Sequence, residues 1–501
     1  MQPYLLGIDI GTGSTKALAV NFEGNVLEIA QNYYPVKSPL PGYSEQDPEL
    51  ILGAFIGCIA EIVKKMGAGP YAISLSSAMH SVIPVDEHGK TLSDMITWAD
   101  SRSEGIAQNI RSSALGPVIY HACGTPIHAM TPLCKLIWLR ENRPELFAAT
   151  YKFISIKEYV WYHLFNEFQI DYAIASATGM FDIKQLKWNK EACALAGITT
   201  AKLSAPVNTT YQRTGLKASI LASLKLNSDT IFIIGASDGC CANLGSYVTA
   251  PGVASITIGT SGAVRITSKQ PVYNYAAMIF NYLLDDKTMV CGGAVNNGGI
   301  ALNWLLKNFL NKESPGGADY DAMFNQMATI PAGSEGLIFL PYLYGERAPL
   351  WDTKSCGVFF NIKPKHTQGH FLRAGLEGIC FALNNVLQTL EQSSAVISQV
   401  NISGGFISSP IWTQILADIT GKKLVIVQQE DASALGALFL AMDALRISLP
   451  VEQKPVSHET DILPNQLNHK TYKNSFLIFK RLYADLKETM HWLHDIADKP
   501  V

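Results

Sequence analysis

Two short stretches put a carboxylate where phosphate chemistry could use it. Asp9-Ile10-Gly11-Thr12-Gly13-Ser14-Thr15-Lys16 joins two strand-like runs. Its glycines let the backbone turn tightly and bring N–H groups close to an anion. Thr12 and Ser14 add hydroxyl donors and Lys16 can neutralise phosphate charge. Asp9, at the strand end, suits Mg²⁺, directly or through water. The same residues would also make an ordinary Gly-rich hairpin with Asp9 in an Asx-type turn. Further along, Gly235-Ala236-Ser237-Asp238-Gly239 follows an apolar run at 230–234. A carboxylate there faces a crevice and can accept the proton of an attacking hydroxyl in phosphoryl transfer. Capping of the next helix is the equal alternative.

A second turn, Gly259-Thr260-Ser261-Gly262, sits between strand-like runs at 253–258 and 263–267. Two such turns facing each other would clamp a polyphosphate. Neither is a Walker A loop, because GxxxxGK[ST] is absent.

The elements that must position these turns follow from periodicity. Runs at 4–9, 16–22 and 26–31 read as three strands with tight turns. A helix is expected over 48–65 with Asp47 as its N-cap, then a buried strand at 72–76. The second half repeats the order: strands at 253–258, 263–267, 277–283 and 288–291, then a helix around 300–309. This is an α/β pattern, duplicated in order but not in wording. The stretch 246–252 reads as the boundary, 451–466 as a polar tail and 476–494 as a closing helix.

The 501 residues are long for one core, and 48% hydrophobic with 16% charged residues predicts sizeable buried cores. A net charge of −3 without a basic tract argues against nucleic acid and a membrane surface. No leader-like start or bilayer-length apolar run is seen, and the nine scattered cysteines never form CxxC. A cytoplasmic protein with reduced thiols is the expectation, its partner a small molecule, with a homodimer left open. Adjacent Cys240-Cys241 read as small core residues.

The paired turns resemble those of the actin-like ATPases, and longer segments narrow this. Met130-Thr-Pro-Leu-Cys-Lys135-Leu-Ile-Trp138-Leu-Arg-Glu-Asn142, Pro341-Tyr-Leu-Tyr-Gly-Glu346-Arg347-Ala-Pro349 and Arg373-Ala-Gly-Leu-Glu377-Gly378 resemble signatures of the FGGY carbohydrate kinases. Gly404-Gly405 with Trp412, Gln414, Asp418 and Gly421 is similar as well. The resemblance runs from about residue 4 to 441 and implies two ribonuclease H-like domains with an interdomain cleft. They would span 1–248 (sugar side) and 249–501 (nucleotide side). It implies ATP and Mg²⁺, Asp238 as catalytic base and Asp9 as the metal-associated carboxylate. Gly11, Thr12, Gly13, Ser14 and Lys16 match the first phosphate turn, and Gly259 and Thr260 the second. Gly299 and Asn303 fall in the implied nucleotide pocket, and Gly404, Gly405 and Ser409 in its adenosine-side loop. Gly13 departs from the Thr of many members.

On the acceptor side, Met79-His80 and Trp98-Ala-Asp100-Ser-Arg102 resemble the family's sugar-site segments. His80 can exchange hydrogen bonds with hydroxyls, and Trp98 offers an apolar face to a carbon chain. Asp100 and Arg102 could equally form a structural ion pair. Segments 77–83 (SAMHSVI), 96–102 (ITWADSR) and 124–128 (GTPIH) resemble the members that phosphorylate gluconate. Those that act on xylulose more typically carry Met-His-Gly and Asp-Asn where this chain has Ser81 and Gly239. A sugar acid needs a cation, for which Arg102, Lys157 and His128 are candidates.

Overall fold

The computed structural model describes residues 3–224, 226–310, 316–427, 431–447 and 461–497. Two large sheets organise them, each begun by a hairpin whose first strand pairs in parallel with a later strand. In the first, β1 (Tyr4–Ile10) and β2 (Ser14–Asn21) are antiparallel, and β3 (Val26–Tyr33) extends the hairpin. After α1 (Pro48–Met66), β4 (Ala72–Ser77) lies parallel to β1. The short α2 (Pro132–Asn142) follows, then β5 (Gln212–Arg213) and β6 (Ile231–Ser237), giving the six-stranded order β5-β6-β4-β1-β2-β3. β6 runs directly into α3 (Asp238–Gly245).

The second sheet repeats this plan. β7 (Val253–Ile258) and β8 (Gly262–Ser268) form its hairpin, flanked by β9 (Phe280–Leu283) and β10 (Met289–Val295). α4 (Gly299–Leu310) and the long α5 (Gln368–Ser393) precede β11 (Gln399–Ser403), which pairs in parallel with β7. α6 (Pro410–Thr420), β12 (Lys423–Ile426), α7 (Ala432–Ala444), β13 (Asp461–Ile462) and α8 (Gln466–Ala497) complete the chain. The order is β9-β10-β8-β7-β11-β12-β13. Two such domains make the actin-like ATPase fold that the family resemblance implied, and their order bears out the expected duplication.

Local chemistry explains the boundaries. Asp47 caps α1 by accepting from the Glu49 N–H, and Gly67 ends it at φ 68°. The strand expected over 277–283 starts only at Phe280, because the Asn274 side chain accepts from the Ala277 N–H and holds a turn there. The closing helix is longer than 476–494, since Asn465 accepts from the N–H groups of Leu467 and Asn468 and starts it earlier. Most of the expected polar tail at 451–466 lies outside the described residues.

One helix crosses the expected division. α7, late in the chain, packs on the first sheet, where Leu5, Leu18, Val20, Ala72 and Ile233 form one buried cluster with Ala434, Leu438, Phe439 and Met442. It also packs against α3 at glycine contacts: a methyl on Gly436 would fall 1.9 Å from the Cys241 carbonyl oxygen, and one on Gly245 2.0 Å from that of Ala432. Cys240 and Cys241 are buried free thiols in this region.

Candidate active site

The strand ends deliver the first group of side chains. Asp9 leaves β1 opposite Lys16 on β2, and the Ser76 hydroxyl at the end of β4 donates to Asp9 Oδ1 at 2.6 Å. Burial, with the carboxylates of Asp431 and Asp238 nearby, pushes the Asp9 carboxyl up to about 8, against the pull of Ser76 and Lys157. Lys16 lies 3.8 Å from Asp431, which caps α7. A carboxylate raised by burial beside like charges is the kind of donor a small divalent cation relieves, so Asp9 suits Mg²⁺ as one protein ligand, although among the described residues no group of three or more His, Cys, Asp or Glu side chains is placed to hold a metal.

The turn beyond Asp9 is held by its own backbone and by distant side chains. The Gly11 N–H donates to Ser14 O at 3.0 Å, and Gly11 O accepts from the Tyr34 hydroxyl at 2.6 Å. Gly13 O accepts from the Tyr34 N–H, and Ser14 Oγ accepts from Gln31. Thr12 O accepts from Gln46, and the Trp98 indole N–H donates to Thr12 Oγ1 at 2.9 Å. That last bond ties the Trp98 segment to the first glycine-rich turn.

The second turn clasps the start of α4. The N–H groups of Gly299 and Ile300 donate to the carbonyls of Gly259 and Thr260 at 2.8 and 3.1 Å. Gly404 at φ 111° passes over β7 so closely that a methyl would come within 2.2 Å of Ile258 O. Gly259, Thr260, Gly299, Asn303, Gly405 and Ser409 line one cavity of about 1020 Å³. Tyr320 donates to Asn303 Oδ1 across its wall, and Ser409 caps α6.

A second cavity of about 350 Å³ adjoins it, with Gly259 in both walls. The first half of the chain contributes Met79, His80, Trp98, Met130 and Asp238, and the second half Arg265, Phe280, Tyr282, Arg347 and Trp351. Asp238 does not cap α3, since Ser237 does so through the Cys240 N–H. Its carboxylate instead accepts from the Gly239 N–H at 2.7 Å. Burial raises its pKa, while that N–H, Arg265 and Lys157 pull it back down. A carboxylate whose proton affinity is raised by burial, with donors beside it, is suited to take a hydroxyl proton.

His80 sits at φ 69°, a backbone region few residues other than glycine occupy. The Ala177 carbonyl can only accept, so His80 Nδ1 carries the proton (2.8 Å), leaving Nε2 to accept from the Tyr282 hydroxyl at 3.3 Å. Burial, with Lys135 and Arg347 nearby, lowers its pKa to about 3, and the ring is neutral. Buried Lys135 donates to His80 O and Thr97 O, both at 2.6 Å, and so fastens the His80 and Trp98 segments to α2.

The expected cations do not reach this cavity. Arg102 is held by Asp100 at 2.7 Å and Glu45 at 2.6 Å, with its guanidinium 3.6 Å from the centre of the Tyr43 ring. The Asp100–Arg102 pair is therefore the structural ion pair that the spacing also allowed. Lys157 is buried against Asp171 at 2.7 Å and donates to Ala236 O. His128 accepts from the Met130 N–H beside the Trp351 ring and stays behind the wall. Arg265 and Arg347 are the cations that line it. Their signal was present: Arg265 is the one charged residue in an otherwise uncharged strand, and Arg347 stands in a family signature.

Comparisons with known proteins agree with this arrangement. Residues 4–245 match the N-terminal domain of the FGGY family of carbohydrate kinases, and residues 254–445 match its C-terminal domain. A gluconokinase of Bacillus subtilis is 42% identical over 451 residues, which are 89% of this chain and 88% of that protein. A ligand-bound xylulose kinase structure from Lactobacillus acidophilus superposes with a TM-score of 0.93 at 31% identity, covering 98% of this chain and 100% of that one. A gluconate kinase structure from the same organism gives 0.92 at 31% identity, with 97% and 98% coverage. No helix among the described residues is long and apolar enough to cross a membrane. With both domain matches in order across two cavities that meet at Gly259, the chain belongs to the FGGY family of carbohydrate kinases.

Proposed function

We propose that the chain transfers the γ-phosphoryl group of ATP to the 6-hydroxyl of D-gluconate, giving ADP and 6-phosphogluconate in the cytoplasm. The observation that carries this reading is the smaller cavity, which joins Asp238 and the second phosphate turn to two arginines. The gluconokinase relative at 42% identity supports the same acceptor.

In this reading the chain divides at 248/249 into an acceptor lobe and a nucleotide lobe. The adenosine occupies the larger cavity beside Asn303, Gly404, Gly405 and Ser409. Its phosphates run between Gly11–Lys16 and Gly259–Thr260, whose amides and hydroxyls neutralise the transferring group. Asp9 would hold Mg²⁺, which supplies charge neutralisation at the phosphates when bound. The gluconate O6 attacks phosphorus, its proton passes to Asp238, and the bond to the ADP oxygen breaks. Trp98 and Met79 pack on the carbon chain, and neutral His80 exchanges hydrogen bonds with its hydroxyls. Water is excluded as the lobes close, which limits ATP hydrolysis.

Xylulose is the second reading, favoured by the superposition on a xylulose kinase. A coupled assay of ADP release over sugars and sugar acids decides between them. Higher kcat/KM on xylulose than on gluconate would overturn the proposal.

A further inference from the structure

Arg265 lines the acceptor cavity from the middle of β8, and its surroundings are unusual for a half-buried cation. No hydrogen bond from its guanidinium and no carboxylate within ion-pair distance is found among the described residues. Asp238 is close enough to be felt electrostatically but not to pair. Arg347, across the cavity, is already engaged: its Nε donates to Asn296 Oδ1 at 2.7 Å, an Nη donates to Val295 O at 3.3 Å, and its guanidinium lies 5.6 Å over the Trp98 ring.

Two glycines make the slot around Arg265. Gly292 faces it across the β8–β10 ladder, where a methyl would come within 2.8 Å of the Phe280 ring and 3.1 Å of Arg265 Cα. On the other side, a methyl on Gly239 would approach Met79 Cε at 2.8 Å and Arg265 Nε at 3.7 Å. Any longer side chain at Gly239 would enter the space the guanidinium uses.

The charge inventory of the cavity wall is also unbalanced. Asp238 is the carboxylate lining it, His80 is neutral, and Arg265 and Arg347 are both cationic. The Glu346 carboxylate nearby is turned to the N–H groups of Asn296 and Arg347 and the Asn297 amide. A ligand carrying one negative charge restores neutrality at a half-buried cation that no protein carboxylate pairs.

Position along the strand fixes where that charge belongs. Ala263 and Arg265 both line the cavity, as the period of a strand requires, and Arg265 lies about 7 Å further from the phosphate turn. With an acceptor hydroxyl at Asp238, which lines the same cavity as the turn, the rest of a six-carbon acid has Arg265 within its reach. We propose that Arg265, in the slot made by Gly239 and Gly292, is the specificity-determining residue that binds the acceptor's carboxylate. This rests on the gluconate reading and names the residue behind it.

The test compares gluconate with glucitol, the same chain with its carboxylate replaced by a hydroxymethyl group, alongside xylulose. In Arg265→Met the ratio of kcat/KM for gluconate to that for glucitol should fall about 10- to 100-fold, the scale of one charge-assisted hydrogen bond. The calorimetric Kd for gluconate should weaken in parallel. Arg265→Lys should recover part of it, because an ammonium restores the charge but not the fork. Gly239→Asn, which leaves Arg265 in the chain, should lower the same ratio. Equal losses on both acceptors would assign Arg265 to holding Asp238 and overturn the proposal, as would an unchanged gluconate KM in Arg265→Met and Gly239→Asn. Wild-type preference for xylulose would overturn the gluconate reading itself and this inference with it.

Discussion

Replacing Lys135 by Met separates stability from positioning in this fold. The substitution keeps an unbranched apolar stem and removes the amine that donates to His80 O and Thr97 O. His80 O is left without a partner while Thr97 O keeps the Asp100 N–H at 3.3 Å, so the orphan costs about 1–3 kcal/mol and the second lost bond about 1, or about 2–4 kcal/mol together. Against this stands the burial of the lysine itself, which lowers its pKa from 10.5 to about 7. At about 1.4 kcal/mol per pKa unit, that is a penalty of about 4–5 kcal/mol at pH 7, removed with the amine. The two effects nearly cancel, so urea unfolding at pH 7 should differ by less than about 2 kcal/mol between variant and wild type. The pH dependence carries the sign. Between about 7 and 10.5 the unfolded chain holds a proton on Lys135 that the folded chain lacks. Wild-type stability should therefore rise with pH across this window relative to Lys135→Met, and the difference should be flat below it. Activity should respond differently, because the strained His80 loop and the Trp98 segment lose their common anchor. kcat/KM for the acceptor should fall about 100-fold, as displaced positioning groups cost. Wild-type kcat/KM in a folded Lys135→Met, or a loss of stability well beyond the estimate, would refute the reasoning.

Asp238→Asn should cut kcat by about 100- to 10,000-fold while an ATP analogue binds as before, measured by calorimetry. Burial holds the Asp238 pKa above the ordinary carboxylate range and Arg265 holds it down. In Arg265→Met the acid limb of kcat should therefore move to higher pH, seen in a pH–rate profile on glucitol. Trp98→Phe keeps the ring face but loses the donor to Thr12. It should raise KM for both ATP and acceptor, with kcat/KM down about 5- to 10-fold for a bond of about 1 kcal/mol. Gly436→Ala forces α7 away from the Cys241 carbonyl and should cost about 1–3 kcal/mol or more, read as a lower thermal midpoint.

Much of the framework was legible along the chain because it is local. Hairpin turns, the Asp47 cap and the apolar strands write themselves in adjacent residues, so β1–β4 and β7–β8 fell within a few residues of expectation. The reach of long side chains is not local. Nothing near Arg102 announces that Glu45, fifty-seven positions earlier, takes its guanidinium. The same holds for Lys157, whose partner Asp171 and carbonyl acceptor Ala236 come from other elements. Arg265 was overlooked for the converse reason. A lone charge in an uncharged strand names no ligand by itself, and the glycines brought beside it, at 239 and 292, are what reveal a slot. Asp238 could be read as cap or base until Ser237 was seen to occupy the capping role.

The lodging of α7 on the first sheet has a consequence for how the protein is made. During synthesis from the N-terminus, Leu5, Leu18, Val20 and Ile233 emerge long before Ala434, Leu438 and Phe439, which cover them. Until nearly the whole chain has left the ribosome, the first lobe carries a bare apolar face and a glycine groove with no helix to fill it. A nascent chain stopped before residue 431 would present that face to solvent and to chaperones. The last seventh of the polypeptide thus decides whether the first half finishes folding, and release of a full-length product becomes the checkpoint for its solubility.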